Sequence, residues 1–489
     1  MHKRLMSVLF SMMIIPFAGL AVRADAEVPD DQELPLEDLG PVIDMEASFP
    51  DENLRQFVQE TFDTNDDEQI STGEIDKVRL LDVSGEGIKD ITGIGLFKSL
   101  TELHLERNEL VSVDLSPMSG LLKLNISDNP IEEIDLSALA YLTSLDVSNT
   151  GIKAADLSHN PNLTTFKATG NGLTYSDMSA VKNLRYLDLS DNDLTAVNLS
   201  KNTMLTTLDL SSNDLTAIDL RSNKMLKKIN VGSNELTLLD LSHNRYMEEI
   251  SCDNNELADL KLGSISRVKI IEASGNSLKT LKLKHNKKLE RLVVNDNELK
   301  SIDFGSKLYL KYIDVRDNRL RKLVTRDMIS VTYINCSGNK ISSVDLRRAN
   351  AGLYFVCSDN KVKKFYRKAG QTVECEFVDK EGNIYQYDTS ADLWAVGFKA
   401  PAEGKSQIVI PEKLNAGGIY PVKRIEKGAF EYDDTVKTLV VRSGVIENCG
   451  KRAFAGSAIK KFVLPGAKLK VYKKLFKSRG ASRASYVKG

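Results

Sequence analysis

A run of acidic and amide side chains near the amino terminus is the clearest arrangement of potential metal ligands in the chain. The segment from Asp63 to Glu74 reads DTNDDEQISTGE. Its oxygen-bearing residues have the spacing of an EF-hand loop, which binds Ca²⁺, a hard cation that prefers oxygen ligands. The spacing therefore predicts a structural calcium site, with Gln69 offering its backbone carbonyl, at Asp63, Asn65, Asp67, Gln69, Ser71 and Glu74.

One position departs from that loop pattern. Glu68 stands where an EF-hand loop has glycine, the residue that most readily adopts the positive φ of its sharp turn. The alternative interpretation is a helix–turn–helix without metal, in which Asp and Asn form the turn and Ser71 forms a capping box with Glu74. In neither case does the sequence require a cofactor, because a calcium ion here would be structural.

Groups that perform nucleophilic or acid–base catalysis are few and scattered. The chain has five histidines and five cysteines. No histidine stands in a recognised motif with a cysteine or serine, and the sequence has no nucleotide-binding glycine loop and no HExxH or CxxC metal motif. The formal net charge of −2 gives no overall field that would attract nucleic acid. We therefore predict neither an enzyme nor a nucleic-acid-binding protein.

A sequence repeat determines the secondary structure of most of the chain. The pattern L-x-x-L-x-L-x-x-N-x-L recurs every 21 residues from Leu100, and a divergent first copy begins at Val78. The L-x-L core alternates with period two, which predicts a short strand with one buried face. The spacing predicts an α/β repeat solenoid, a curved leucine-rich-repeat array with a parallel β-sheet on its concave face and a helical N-terminal cap.

An asparagine follows the strand in almost every copy. Its side-chain amide is predicted to satisfy backbone groups of adjacent turns that a buried bend would otherwise leave unpaired. Only Thr150 interrupts the series, with Asn149 one place early. The series consists of Asn108, Asn129, Asn171, Asn192, Asn213, Asn234, Asn255, Asn276, Asn297, Asn318, Asn339 and Asn360.

Recognition in such an array belongs to the variable residues around L-x-L, which face solvent on the concave surface. Three consecutive repeats place a tyrosine just before the strand core, about 4.8 Å apart at strand spacing. Aromatic and arginine side chains suit protein partners, and aromatic rings also stack on sugars. The alternative is a ladder that only stabilises neighbouring strands. The predicted binding surface consists of Tyr312, Tyr333, Tyr354, Arg316, Asp314, Arg291, Val293, Val356 and Tyr186.

Three segments precede the repeats. Residues 1–26 combine a basic start, an apolar run and an A-x-A site, which predicts a cleaved secretory signal. Residues 27–47 are acidic and predict a linker, and residues 48–77 predict a helical, EF-hand-like cap. No second long apolar run follows, so the mature chain is expected to have no transmembrane segment.

The solenoid is predicted to span residues 78–372, and residues 373–489 follow a different spacing. Phrases ending at Phe430, Phe454 and Phe476 alternate with strand-like segments, so each phenylalanine is expected to fill the core of an irregular coil. After Glu447 the sequence has twelve basic residues and no acidic one. This end is predicted either to attract an anionic surface such as cell-wall polymer or to be a solvated end cap.

Three of the cysteines take the second core position of a repeat. Cys252, Cys336 and Cys357 are therefore predicted to point inward as small buried residues. A disulfide between Cys336 and Cys357 on adjacent strands is conceivable but not favoured, and five cysteines are too few for a disulfide scaffold.

Together these parts resemble a kind of exported bacterial surface protein. The LTxLDLSxN array is similar to internalin-like leucine-rich repeats, and the IP…I…AF spacing from about residue 404 resembles BspA-like repeats. The resemblance implies a secreted, extracellular protein, associated with the cell surface, that mediates adhesion by recognising a protein or glycan of host or envelope. The alternative is a structural envelope component that its basic C-terminal end holds to anionic cell-wall polymer. The C-terminal sequence has no LPxTG-type sorting signal, which leaves covalent wall attachment without support.

Overall fold

The computed structural model describes residues 40–304, 307–324, 328–388, 396–416 and 419–489. The predicted signal, residues 1–26, and residues 27–39 of the predicted linker lie outside the described residues. The described chain forms a parallel β-solenoid of about 19 turns, so the leucine-rich-repeat architecture predicted from the 21-residue spacing is confirmed.

The main sheet of the solenoid lies on its concave face, and most of its strands are three residues long. Neighbouring strands pair in parallel with a shift of one repeat, as Leu187 pairs with Leu208. In order, these strands are β1 (Leu80–Asp82), β2 (Glu102–His104), β3 (Lys123–Asn125), β4 (Ser144–Asp146), β5 (Thr165–Lys167), β6 (Tyr186–Asp188), β7 (Thr207–Asp209), β8 (Lys228–Asn230), β10 (Glu249–Ser251), β12 (Ile270–Glu272), β13 (Arg291–Val293), β14 (Tyr312–Asp314), β15 (Tyr333–Asn335), β17 (Tyr354–Val362) and β19 (Thr372–Val378).

Two short strand pairs lie outside the main sheet. They are β9 (Leu238–Asp240) with β11 (Asp259–Lys261), and β16 (Ser343–Asp345) with β18 (Lys364–Tyr366). Each of these strands buries its middle residue, as Leu239 does on β9. These residues come from the second apolar pair of each repeat, which the sequence places on the wall opposite the main sheet.

The three-residue strands of the main sheet bury their middle residue and, apart from Asp314 of β14, leave the first and third at least partly exposed. In β6 and β7 the middle residues, Leu187 and Leu208, are 0% and 1% exposed. Because every turn contributes such a residue, the core runs without a break along the solenoid. The same alternation leaves two side chains per turn available on the concave face.

The predicted asparagine series joins each turn to its neighbours. Nδ2 of Asn213 donates to the carbonyls of Leu189 at 2.9 Å and Leu210 at 3.1 Å. Its Oδ1 accepts the N–H of Leu194 at 3.0 Å. Where the series is interrupted, the hydroxyl of Thr150 donates to the carbonyl of Val147 at 2.9 Å. The predicted role of the series is therefore confirmed.

A second asparagine series, which the sequence analysis missed, lies at another corner of the turns. Nδ2 of the fully buried Asn223 donates to the carbonyls of Leu199 at 3.0 Å and Asn202 at 2.9 Å. At the same repeat position Lys307 is buried, and its Nζ donates to the carbonyl of Leu283 at 2.8 Å. Burial lowers the pKa of Lys307.

The N-terminal cap contains three helices, α1 (Met45–Ser48), α2 (Glu52–Phe62) and α3 (Thr72–Ile75). Leu54 and Val58 of α2 are fully buried, so this helix covers the core at the open end of the first turn. Oδ1 of Asp51 caps α2 by accepting the N–H of Leu54 at 3.0 Å, and its Oδ2 accepts the N–H of Lys89 at 2.8 Å. One carboxylate thus joins the cap to the first turn of the solenoid.

The end of the predicted linker lies within this cap. Ile43 is buried, and its N–H donates to the carbonyl of Ile70 at 2.7 Å. The described cap therefore begins before residue 48, because an apolar side chain within the acidic segment supplies burial that composition alone did not reveal.

The parallel order of the main sheet changes after β19, whose next partner runs antiparallel. The strands beyond that point are β20 (Ile384–Asp388), β21 (Val396–Ala400), β22 (Gln407–Ile410), β23 (Lys413–Asn415), β24 (Ile419–Ile425), β25 (Thr438–Val441), β26 (Asn448–Cys449), β27 (Lys461–Leu464) and β28 (Ser485–Lys488). Of these, β21, β24 and β26 pair in parallel, and β22, β25, β27 and β28 form a second parallel sheet.

Phenylalanines fill the core of this C-terminal region, as the spacing predicted. The ring centroid of Phe430 is 5.6 Å from that of Phe454, which is 5.1 Å from that of Phe476. Helix α4 (Leu469–Lys477) packs Tyr472 and Phe476 inward beside β28. The row of rings therefore continues to the last coil.

The cysteines are buried, but their pairing was not predicted. Cys357 forms a disulfide with Cys375 on the next strand, whereas Cys252, Cys336 and Cys449 are buried free thiols. Cys375 was missed as a partner because the register changes there: Tyr354 pairs with Thr372, a step of 18 residues instead of 21.

Candidate functional site

Three of the predicted binding residues form a stack on the concave face. Tyr312, Tyr333 and Tyr354 open β14, β15 and β17, which pair in register. The ring centroids of Tyr312 and Tyr333 are 4.7 Å apart with 9° between the planes, and those of Tyr333 and Tyr354 are 5.7 Å apart with 6°. All three side chains are half-buried. We call this stack the tyrosine ladder.

Charged side chains close both ends of the tyrosine ladder. The guanidinium of Arg291 lies 4.1 Å from the ring centroid of Tyr312, and its Nε lies 2.9 Å from Oε1 of Glu272. At the other end the hydroxyl of Tyr354 donates to Glu374. The ring faces of Tyr312 and Tyr333 are therefore covered on both sides, and these two rings offer edges and hydroxyls to a ligand.

The other predicted residues flank the ladder. Asp314 is only 4% exposed, and Nε of Arg316 lies 2.9 Å from its Oδ1. Val293 and Val356 take the third or equivalent outward position of their strands. Because Arg291 and Arg316 each pair with a carboxylate, the surface has an aromatic centre and little net charge.

The Tyr312 hydroxyl remains protonated at physiological pH. Burial raises its pKa, and the negative charge of Asp314 raises it further. The hydroxyl therefore carries a proton that it can donate to a ligand.

Tyr186 does not belong to this cluster. It opens β6, and six strand pairings separate β6 from β14. Its hydroxyl lies 3.4 Å from Oδ2 of Asp188, and burial together with Asp188 and Asp209 raises its pKa. Tyr186 therefore lies in an acidic part of the concave face, remote from the ladder although in the same repeat column.

Two contacts of the ladder were missed from sequence. Glu272 stands at the third strand position of the repeat before Arg291, so the aligned columns contain the signal that would have revealed it. Glu374 follows the 18-residue step after Tyr354, so an alignment at 21 residues does not place it beside the ladder.

The predicted calcium loop is a hydrogen-bonded turn. Asp63 accepts the N–H groups of Asp67 at 3.2 Å and Glu68 at 2.9 Å. Glu68 adopts φ +63°, so the left-handed turn forms without the glycine usual at this position.

The end of this loop starts helix α3. Glu74 accepts the N–H of Ser71 at 2.8 Å and that of Thr64 at 2.9 Å, and Ser71 and Glu74 form the capping box foreseen in the alternative interpretation. Burial tends to raise the pKa of Glu74, but these hydrogen bonds outweigh it and lower the pKa. Among the described residues, no three or more His, Cys, Asp or Glu side chains are arranged to hold a metal ion. The geometry thus favours the capped turn, and calcium binding stays a prediction.

The basic C-terminal end presents exposed lysines on α4. Lys470, Lys473, Lys474 and Lys477 face solvent, while Tyr472 and Phe476 of the same helix are buried. Of the twelve basic residues after Glu447, Arg452 alone forms an ion pair with a described residue, Glu431 at 2.6 Å. No helix in the described ranges has the length and apolar character needed to cross a membrane.

Comparison with known proteins supports a leucine-rich-repeat fold. A family model described as Leucine Rich repeat matches residues 182–197 and 201–221. The functional domain of InlJ from Listeria monocytogenes is similar, with a TM-score of 0.68 and 23% identity over 78% of this chain and 88% of that one. A search of curated protein sequences gives no significant match.

Two further solved structures are similar over most of their own length. The internalin InlF from Listeria monocytogenes has a TM-score of 0.54 and 21% identity, covering 67% of this chain and 94% of its own. A leucine-rich-repeat protein from Leptospira interrogans has a TM-score of 0.55 and 21% identity, covering 62% and 86%. The chain therefore has a leucine-rich-repeat fold, and its structural neighbours include an internalin.

Proposed function

We propose that this chain is a non-catalytic recognition protein that binds a protein partner through the tyrosine ladder. The observation that carries the proposal is an aromatic, nearly uncharged centre on the concave face, where solenoids present their binding surfaces. Together with tryptophan, tyrosine and arginine are the residues most enriched among the energetic centres of protein interfaces. The leucine-rich-repeat fold is compatible with this role.

The geometry of the ladder favours protein over glycan. Sugar recognition by aromatic residues uses the face of a ring, and the faces of Tyr312 and Tyr333 are already covered by neighbouring groups. Ring edges and hydroxyls remain, and these suit the mixed polar and apolar surface of a polypeptide. Of the two predicted kinds of partner, protein and glycan, the ladder therefore supports a protein better.

The proposed location is extracellular, with association at a bacterial cell surface. Its support is the signal-like sequence of residues 1–26 and the resemblance of the repeats to those of exported surface proteins. Adhesion is the corresponding biological role.

The test compares the protein with a Tyr312→Ala, Tyr333→Ala, Tyr354→Ala variant in capture from host-cell and envelope extracts. The matched control changes Thr165, Thr207 and Lys228 to Ala, at the same strand position in the N-terminal half. Affinity for the captured partner should fall by at least about tenfold in the tyrosine variant, since the interface would lose three anchors. The control should retain it, and all three proteins should have matched melting temperatures.

Two results would contradict the proposal. Equal capture by the tyrosine variant would remove recognition from the ladder. Capture that survives protease digestion of the extract but disappears after glycosidase treatment would make the ligand a glycan.

The second candidate function is attachment to anionic cell-wall polymer through the basic end. It is favoured by eleven cations without an ion pair among the described residues, four of them on the outer face of α4. The sharpest variant replaces Lys470, Lys473, Lys474 and Lys477 with Gln, because deleting the whole end would expose the phenylalanine core. Retention on purified wall at low salt should fall in this variant and stay unchanged in the tyrosine variant. Unchanged retention in the glutamine variant would contradict this candidate.

A further inference from the structure

Three large apolar side chains stand exposed on one flank of the solenoid. Met204, Met225 and Tyr246 are 37%, 41% and 41% exposed, and they take the same repeat position on three successive turns. This position lies just before the first buried core residue of each repeat, away from the tyrosine ladder. We call the three residues the flank stripe. Isolated exposed apolar residues are common, but a row on consecutive turns forms a continuous patch.

In neighbouring repeats the residue at this position donates a hydrogen bond to the backbone, which the methionines of the flank stripe cannot do. In the two preceding repeats the position is asparagine. Nδ2 of Asn162 donates to the carbonyl of Ala140 at 2.9 Å, and Nδ2 of Asn183 donates to that of Pro161 at 3.1 Å. Methionine has no donor for such a bond. The apolar side chains therefore replace a stabilising hydrogen bond with exposed hydrophobic surface.

Unpaired cations border the flank stripe. Lys224 and Arg245 lie beside it on the surface, and the guanidinium of Arg267 on the next turn lies 5.2 Å from the ring centroid of the stripe's tyrosine. None of these three cations forms an ion pair within the described ranges. Glu248, the carboxylate of the neighbouring column, is paired with Lys269 at 2.7 Å. An occupant of this surface must therefore combine apolar side chains with negative charge.

We infer that the flank stripe binds residues 27–39 of a second copy of this chain. That segment, EVPDDQELPLEDL, has six carboxylates, no basic residue and three leucines at 34, 36 and 39. Its leucines match the methionines and tyrosine of the stripe, and its carboxylates match the bordering cations. The surface is distinct from the tyrosine ladder, so the inference stands or falls separately from the proposed function.

Chain length requires the two partners to be different copies. Gly40 lies in the cap ahead of β1, and six strand pairings separate β1 from β7, the strand that follows Met204. At about 4.8 Å per pairing the separation is about 29 Å. Leu34 is six residues from Gly40, which an extended chain spans in at most about 22 Å. Contact between copies is then head-to-flank, a heterologous interface.

The test uses a fluorescein-labelled peptide of residues 27–39, titrated with the protein and followed by fluorescence anisotropy. The variant Met204→Asn, Met225→Asn, Tyr246→Asn places at each position the residue that neighbouring repeats already use, so it should fold. Peptide affinity should fall at least about tenfold in this variant. The control Tyr141→Asn has the same repeat position and a side chain 64% exposed, and Ala140 stands before it where Arg245 stands before Tyr246. This control should change affinity less than about twofold.

Sedimentation velocity supplies the second readout. The protein should associate as its concentration rises, the stripe variant should remain monomeric, and excess peptide should dissociate the assemblies of the wild type. A peptide with its three leucines changed to serine should bind far more weakly. Binding that persists in the stripe variant but disappears when the four α4 lysines become glutamine would overturn the inference, because the acidic segment would then dock on the basic end. Absence of peptide binding at about 1 mM would overturn it as well.

Discussion

Single buried amides hold adjacent turns of this molecule in register. The side chain of Asn213 satisfies three carbonyls and one N–H that belong to two adjacent turns of the chain. Asn213→Ala would leave these groups buried without partners. We expect the free energy of unfolding to fall by about 2–3 kcal/mol, the cost of orphaning buried polar groups, as measured by urea denaturation. Asn162→Ala, which removes one exposed hydrogen bond, is the matched control and should cost under about 1 kcal/mol. Equal losses in both variants would contradict this account.

A histidine on the concave face should respond to pH in a defined direction. The carboxylate of Glu106, whose Oε2 lies 3.7 Å from Nδ1 of His104, raises the histidine pKa, and partial burial opposes it. Because the folded pKa lies above the ordinary value of about 6.5, this pair contributes stability that is fully present below that value. The contribution is lost as pH rises through the folded pKa. NMR titration of the His104 ring should give a midpoint above about 6.5.

Glu106→Gln provides the control for that titration. The midpoint should move down toward the ordinary histidine value, since the neutral amide no longer favours the imidazolium. A midpoint that is already at or below the ordinary value in the wild type would show that burial outweighs the carboxylate.

At the residue scale, the sequence predicted where side chains lie in the repeat better than it predicted which side chains contact each other. The column alignment placed Tyr312, Tyr333 and Tyr354 side by side because parallel strands one repeat apart must pair in register. It grouped Tyr186 with them because an alignment of repeat positions does not show how many turns separate two residues. The disulfide of Cys357 with Cys375 and the contact of Tyr354 with Glu374 both depend on a strand pairing that is offset by 18 residues. An alignment at 21 residues does not bring these residues together.

At the scale of elements, the three-residue strands are held in place by pairing with the strands of adjacent turns. Period two in L-x-L was sufficient to predict them, and an amphipathic pattern was sufficient for α2. The antiparallel β20 was not foreseen, since nothing in its residues distinguishes an antiparallel partner from a parallel one. The cap began earlier than predicted because Ile43 is one apolar side chain in an acidic run.

The loop between α2 and α3 leads to a prediction about metal dependence. Backbone N–H groups already satisfy the carboxylates of Asp63 and Glu74, so the cap should not require an ion to fold. Excess EDTA should leave the melting temperature within about 1 °C, as measured by differential scanning calorimetry. A drop of several degrees that 1 mM Ca²⁺ reverses would contradict this expectation.

The same experiment distinguishes a weak calcium site from none. Added Ca²⁺ stabilises the protein only if it binds the folded state, and the increase should then disappear in an Asp63→Asn, Asp67→Asn variant. An increase that persists in this variant would place the ion elsewhere.

At the scale of the whole molecule, each turn contacts mainly the turns before and after it. Local damage should therefore have local effects, unlike in a globular domain with one shared core. The acidic cap and the basic end lie at opposite ends of the array. Although the net charge is only −2, negative charge is therefore concentrated at one end and positive charge at the other. A substitution at one end should therefore leave the structure of the other end intact.

The disulfide between Cys357 and Cys375 tests this separability. It closes an 18-residue separation across the step where the regular repeats give way to the C-terminal region. Cys375→Ala should destabilise that neighbourhood by about 3 kcal/mol, the value expected for a loop of this length. Hydrogen exchange should show lost protection in β17 and β19, while β6 to β8 keep theirs because several intact turns separate them from the change. Uniform loss of protection along the solenoid would instead mean that the array unfolds as one cooperative unit, in which the cap, the ladder and the basic end cannot be altered independently.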